Sequence, residues 1–168
     1  GHGCGRGPVR GRRAMSVPPV AAVFFDVDFT LIYPGSTFQA VGYQRFCARY
    51  GIHVDPTRFA LAVSCAAATL DEAENHNYDS EVFVRYTRRI IEGMGGTGPQ
   101  LDACATEIYA EWAACRHFFL YDDVTPVLRD LRDRGVKVGL ISNSHRCLSD
   151  FQQHFELQGL IAGALSSS

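Results

Sequence analysis

The sequence predicts an α/β fold: a parallel sheet interrupted early by a helical insert. Three observations lead there. An apolar run from Val20 to Phe25 stops at Asp26, and a strand-like segment from Val136 to Ile141, apolar but for Lys137, stops at Ser142. Between them, residues 36–116 carry apolar side chains at helical rather than alternating spacing. Short β-branched and aromatic runs joined by helices are how strands of a parallel sheet read, because both of their faces are covered.

The bulk properties bound the answer. The 168 residues suffice for one domain, with 46% hydrophobic and 20% charged side chains, an ordinary globular balance. The net charge is −2, with no basic face or stripe, so a nucleic-acid partner is not expected. The first fifteen residues hold Arg6, Arg10, Arg12 and Arg13 and no acid, leaving 12 basic against 18 acidic side chains in the rest. That Gly/Arg-rich head lacks the apolar run of a secretory signal. Residues 1–19 read as a disordered extension, with Met15 as a candidate true start. No stretch approaches the length of a bilayer span, so no membrane partner is expected and a cytoplasmic location is the default. The six cysteines (Cys4, Cys47, Cys65, Cys104, Cys115 and Cys147) form no C-x-x-C pair. They read as reduced thiols, most of them small apolar residues of helices.

Each element follows in order. Val20–Phe25 is the first strand, read as buried on both faces. Ser36 can cap a helix bearing Phe38, Val41, Phe46 and Tyr50, which Gly51 stops. Asp55-Pro56 opens a second helix through Phe59, Ala62, Val63, Ala66 and Leu70. Ser80 opens a third with Val82, Phe83, Tyr86 and Ile90, and Pro99 a fourth with Leu101, Ala105, Ile108, Tyr109 and Trp112. Thr125-Pro126 starts another helix, ended by Gly135 before the second strand. A helix through Leu148, Phe151 and Phe155 then precedes a third strand, Leu160–Leu165.

Ligands of parallel sheets bind at the carboxyl ends of strands, where Asp26, Asp28 and Ser142 fall. In the segment Phe24-Phe25-Asp26-Val27-Asp28-Phe29-Thr30-Leu31, alternate side chains share a side, so the two carboxylates can converge. Converging anions call for a cation, and a hard divalent ion such as Mg²⁺ suits oxygen donors. Two readings of the pair stand side by side: a metal-assisted site, or a turn cap at Asp28 beside a solvated Asp26. Ser142 and Asn143 likewise read either as an anion-binding turn or as plain turn residues.

Together, the apolar run with D-x-D-x-T, the helical insert and the later G-V-K-V-G-L-I-S-N-S segment resemble the haloacid dehalogenase superfamily over residues 20–168. The resemblance implies a Rossmann-like core from residues 20–35 and 117–168, incomplete here, with residues 36–116 as a four-helix cap between the first two motifs. It implies an Mg²⁺-dependent phosphatase acting on a small phosphorylated metabolite. Asp26 would be the nucleophile, Asp28 the acid and then base, and both would hold the metal, Asp28 through its main-chain carbonyl. Ser142 and the Asn143 N–H would hold the phosphoryl group, and Thr30 would brace the loop. Asp28 favours phosphate chemistry over carbon–halogen cleavage, because dehalogenases of this pattern lack the second acid. Phe29 departs from the family's glycine at that place.

The family's third motif, a lysine or arginine, and its fourth, acidic residues, are not matched. The one lysine, Lys137, lies inside the second strand, while Asp122 and Asp123 precede the second motif and read as acids of a helix N-terminus. The chain is therefore expected to be an N-terminal fragment, nearly inactive and poorly stable alone, with Val20–Phe25 as an exposed apolar edge. A non-catalytic interaction module and a 2-haloacid dehalogenase are the alternatives; a receiver-like domain lacks such an insert. Arg45, Arg49, His76, Arg85, Arg88 and Arg89 are the insert's candidates for meeting an anionic substrate.

Overall fold

The computed structural model describes residues 19–71 and 79–166. The apolar run forms β1, Ala22–Phe25, which pairs in parallel with β4, Lys137–Ser142; β4 pairs in parallel with β5, Gly163–Ser166. The sheet order is β1-β4-β5, so β1 is an edge strand. It is not covered on both faces: Phe24 is 61% exposed, and Ile141 and Leu165 on the same side of the sheet are also exposed. Phe24 lies across from Gly139, where a Cβ would come within 2.4 Å of its ring. The opposite side is closed. Val138 and Leu140 are fully buried there with Leu128 of α6 (Val124–Asp133) and Phe151 of α7 (Leu148–His154).

Two short strands absent from the sequence reading join the sheet to the helices. β2, Ile32–Pro34, and β3, Phe118–Leu120, form an antiparallel ribbon with Tyr33 opposite Phe119. Three residues are too few for an alternating pattern to register. The ribbon carries the chain out of the core and back, and Gly35 N–H donates to the His117 carbonyl at 2.8 Å to extend it.

The described residues of the insert are helical, as its periodicity predicted. A 3₁₀ turn at Ser36–Phe38 leads into α1, Ala40–Arg49, and Gly51 (φ +67°) takes the left-handed conformation that stops it. Asp55 caps a second 3₁₀ turn by accepting from the Thr57 N–H at 2.9 Å, ahead of α2, Phe59–Ala66, and α3, Ala68–Asp71. Asp79, not Ser80, caps α4, Ser80–Gly93. Packed against α2 and α4 respectively are α4 and α5, Leu101–Trp112. Cys47 and Cys104 meet in this interior as free thiols, Cys104 Sγ donating to Cys47 Sγ at 4.0 Å. β5 begins at Gly163, three residues later than the apolar pattern suggested, because Leu157–Leu160 close a turn instead. Among the described residues no helix is long and apolar enough to cross a membrane. The head and Cys4 lie outside the described residues.

Candidate active site

The loop after β1 is wound around one carbonyl. The N–H groups of Thr30, Leu31 and Ile32 all reach Val27 O, at 3.3, 2.9 and 3.2 Å, and Phe29 N–H donates to Ile32 O at 2.8 Å. This winding needs a residue with positive φ, and Phe29 supplies it at +62°, a costly conformation for a side-chain-bearing residue. The loop turns Asp26 and Asp28 onto one cavity. Thr30 Oγ1 donates to Asp26 Oδ2 at 3.3 Å.

Asp28 has a partner that sequence reasoning missed. Arg146 Nη2 lies 3.0 Å from Asp28 Oδ1, with the arginine side chain fully buried and that of Asp28 16% exposed. The guanidinium also donates to the carbonyls of Trp112 at 2.8 Å and Ala113 at 3.1 Å, and sits 4.2 Å over the Phe118 ring. It therefore ties the second acid to the point where α5 returns toward the core. An arginine in a polar loop reads as a solvated charge; only its place just after S-N-S-H could have drawn attention to it.

At the end of β4, Ser142 is 2% exposed and its hydroxyl is engaged locally. It accepts from the Ser144 N–H at 3.2 Å and shares a hydrogen bond with Ser144 Oγ at 3.1 Å. Ser142 is not among the residues lining the cavity, whereas Asn143, Ser144 and His145 are.

The cavity holds about 280 Å³ between this strand-end edge and the helical insert. Asp26, Asp28 and the 143–145 loop form one end. The other is made by Leu70 of α3, Phe83 and Tyr86 of α4, and Ile108, Tyr109 and Trp112 of α5. Tyr109 stacks on His145 with centroids 4.2 Å apart, bridging the two ends. Burial holds the His145 imidazole below its ordinary value, and the nearby Arg146 charge pushes the same way, against opposing contacts with the Tyr109 and Ala110 backbone. Burial raises the Tyr43 and Tyr86 phenols on the same walls.

The insert's expected cations lie elsewhere. Arg45 and Arg49 line a separate polar groove, where Arg49 pairs with Glu107 at 2.6 Å. Arg88 is held by Glu92 and Asp102, Arg89 donates to Thr69 at 2.7 Å, and Arg85 is exposed. His76 lies outside the described residues. Lys137 is exposed at the far end of β4 from Ser142.

The Asp26 and Asp28 carboxylates that line the cavity are hard oxygen donors of the kind a divalent cation such as Mg²⁺ takes. Among the described residues no group of three His, Cys, Asp or Glu side chains could hold a metal. A two-donor oxygen set fits Mg²⁺, which keeps several waters and is held by one or two carboxylates plus substrate phosphate.

A model of haloacid dehalogenase-like hydrolases matches residues 20–165. Solved structures share the fold at low identity. A hydrolase from Streptococcus pneumoniae is 15% identical (TM-score 0.54), covering 88% of this chain and 67% of its own. A protein described as a predicted phosphoglycolate phosphatase from Haemophilus somnus is 14% identical (TM-score 0.55), covering 89% and 63%. A dehalogenase solved with an intermediate complex is 15% identical (TM-score 0.55), covering 89% and 63%. The chain thus spans 63–67% of the length of these structures. No curated protein matches the sequence.

Proposed function

We propose that this chain, which belongs to the haloacid dehalogenase-like hydrolase family, carries the nucleophile and acid–base residue of an Mg²⁺-dependent phosphatase of small phosphorylated metabolites in the cytoplasm. The observation that carries this reading is the convergence of Asp26 and Asp28 on one cavity at the end of β1, with Asn143 and Ser144 from the end of β4 beside them. A dehalogenase needs only the first carboxylate; here the second is placed and paired.

Asp26, restrained by Thr30, attacks phosphorus and forms an aspartyl-phosphate. Asp28, oriented by Arg146, gives a proton to the leaving oxygen and later takes one from the water that hydrolyses the intermediate. Donors of Asn143 and Ser144, which line the cavity where the buried Ser142 hydroxyl does not, hold the phosphoryl oxygens. The Asp26 carboxylate and the Asp28 carbonyl would hold Mg²⁺, which would supply positive charge between nucleophile and phosphate. Residues 36–116 serve as the cap, closing the cavity from the side opposite the carboxylates and excluding water. The partition into residues 20–35 and 117–168 as core follows from the same reading.

The test is release of p-nitrophenol from p-nitrophenyl phosphate by the complete protein with Mg²⁺. Asp28→Asn should lower turnover about 10²–10⁴-fold, the usual worth of a positioned acid–base group. Turnover equal to the parent in that variant removes Asp28 from the chemistry.

A further inference from the structure

The cavity is divided by chemistry along its length. Its strand-end side carries the two carboxylates and the 143–145 loop beside Phe29, and its helical side is mostly aromatic and aliphatic, with Tyr43, Tyr86, Thr87 and Tyr109 the residues that bear hydroxyls. A phosphate ester entering with phosphorus at Asp26 must lay its alcohol portion against the helical side. Phe83 and Tyr109 lie nearly parallel there (18°, centroids 6.2 Å apart), and Tyr109 continues the row onto His145. Flat rings pack well against such faces.

Among the described residues, no lysine or arginine lines this cavity. A second anionic group on the alcohol, a carboxylate or another phosphate, would be taken out of water without a cation and beside two carboxylates. His145 is half-buried and stacked on Tyr109, and burial works against its protonation. Size agrees: an apolar cavity of about 150 Å³ accommodates a benzene ring, so 280 Å³ leaves room for one ring beside a phosphoryl group.

Resting on the phosphatase reading above, we propose that the substrate is a phosphate monoester of an uncharged, ring-bearing alcohol. Phe83, Tyr86, Tyr109 and Trp112 select it against small anionic esters such as phosphoglycolate.

Trp112 is the sole tryptophan of the chain and lines the cavity, so its fluorescence reports binding. The complete protein is titrated, with Mg²⁺, with three non-hydrolysable probes: benzylphosphonate, methylphosphonate and phosphonoacetate. Melting temperature with the same probes is the second readout. Benzylphosphonate is expected to bind at least tenfold tighter than methylphosphonate, with phosphonoacetate no tighter than methylphosphonate. Leu70→Arg, at a position 39% exposed on the cavity's lip, should tighten phosphonoacetate at least fivefold and reduce the benzyl advantage. Benzyl and methyl probes within twofold of each other, phosphonoacetate as the tightest probe, or no saturable response in either readout overturns the proposal. Benzyl alcohol binding as tightly as benzylphosphonate overturns the phosphatase reading instead, while ring selection stands.

Discussion

Replacing Arg146 by methionine isolates the buried guanidinium that joins the second acid to the helical insert. The substitution removes a charge-assisted bond to Asp28, worth about 1.5–3 kcal/mol. It also leaves the Trp112 and Ala113 carbonyls without this donor, at about 1 kcal/mol each. Loss of the contact over Phe118 adds about 0.5–1 kcal/mol. Opposing these, methionine fills much of the same space and carries no charge to desolvate. Breaking a buried pair by deleting one partner costs about 3–5 kcal/mol. Because Asp28 retains 16% exposure and water can reach it, the low end applies, about 3 kcal/mol. For a chain of this size that lowers the melting temperature by roughly 6–12 °C. Urea unfolding followed by circular dichroism measures it, and a cycle with Asp28→Asn separates the pair from the carbonyl contacts. Arg146→Lys should recover part of the loss, because one ammonium replaces a fork of donors. Arg146→Met within about 0.5 kcal/mol of the parent, the scatter of ordinary surface substitutions, would refute a structural role for the guanidinium.

Other consequences are equally open to measurement. At position 29, with φ +62°, the variant Phe29→Gly should be more stable than Phe29→Ala by about 1 kcal/mol in urea, the reverse of the usual order. Gly42→Ala should cost at least about 1–3 kcal/mol, because its Cβ would lie 1.9 Å from the Thr37 carbonyl oxygen; an unchanged urea midpoint contradicts this packing. Burial depresses the His145 value, so the unfolded chain takes up this proton before the folded one as pH falls. Its contribution to stability is therefore present above the unfolded value near 6.5 and is lost as pH falls below it toward the depressed folded value. His145→Gln should flatten the stability profile in that window, and an identical slope in both proteins would show that another group is responsible.

What was legible in the sequence was what periodicity and chain order encode. The run into Asp26 marked a strand end, and the 3.6-residue spacing of 36–116 marked helices. The two-faced burial expected for β1 did not follow, because apolar composition reports what a strand is suited to, not which neighbours the described residues supply; Phe24 stands exposed at an edge. The β2–β3 ribbon was invisible because three residues carry no period. Tyr109 and Trp112 read as core positions of a helix, and a periodic pattern does not distinguish an aromatic ring facing a core from one facing a cavity. Arg146 was hidden for a similar reason: its burial depends on carbonyls more than thirty residues away in sequence. Ser142 was placed at the correct strand end, yet its bond to Ser144 is a two-residue detail that the motif does not specify.

Asp26 as the nucleophile is tested most directly by mass spectrometry after rapid mixing with p-nitrophenyl phosphate and Mg²⁺ and acid quenching. The account predicts one phosphoryl group on the peptide containing Asp26, absent in Asp26→Asn together with p-nitrophenol release. Phosphate on a different residue, or release undiminished in Asp26→Asn, would contradict it.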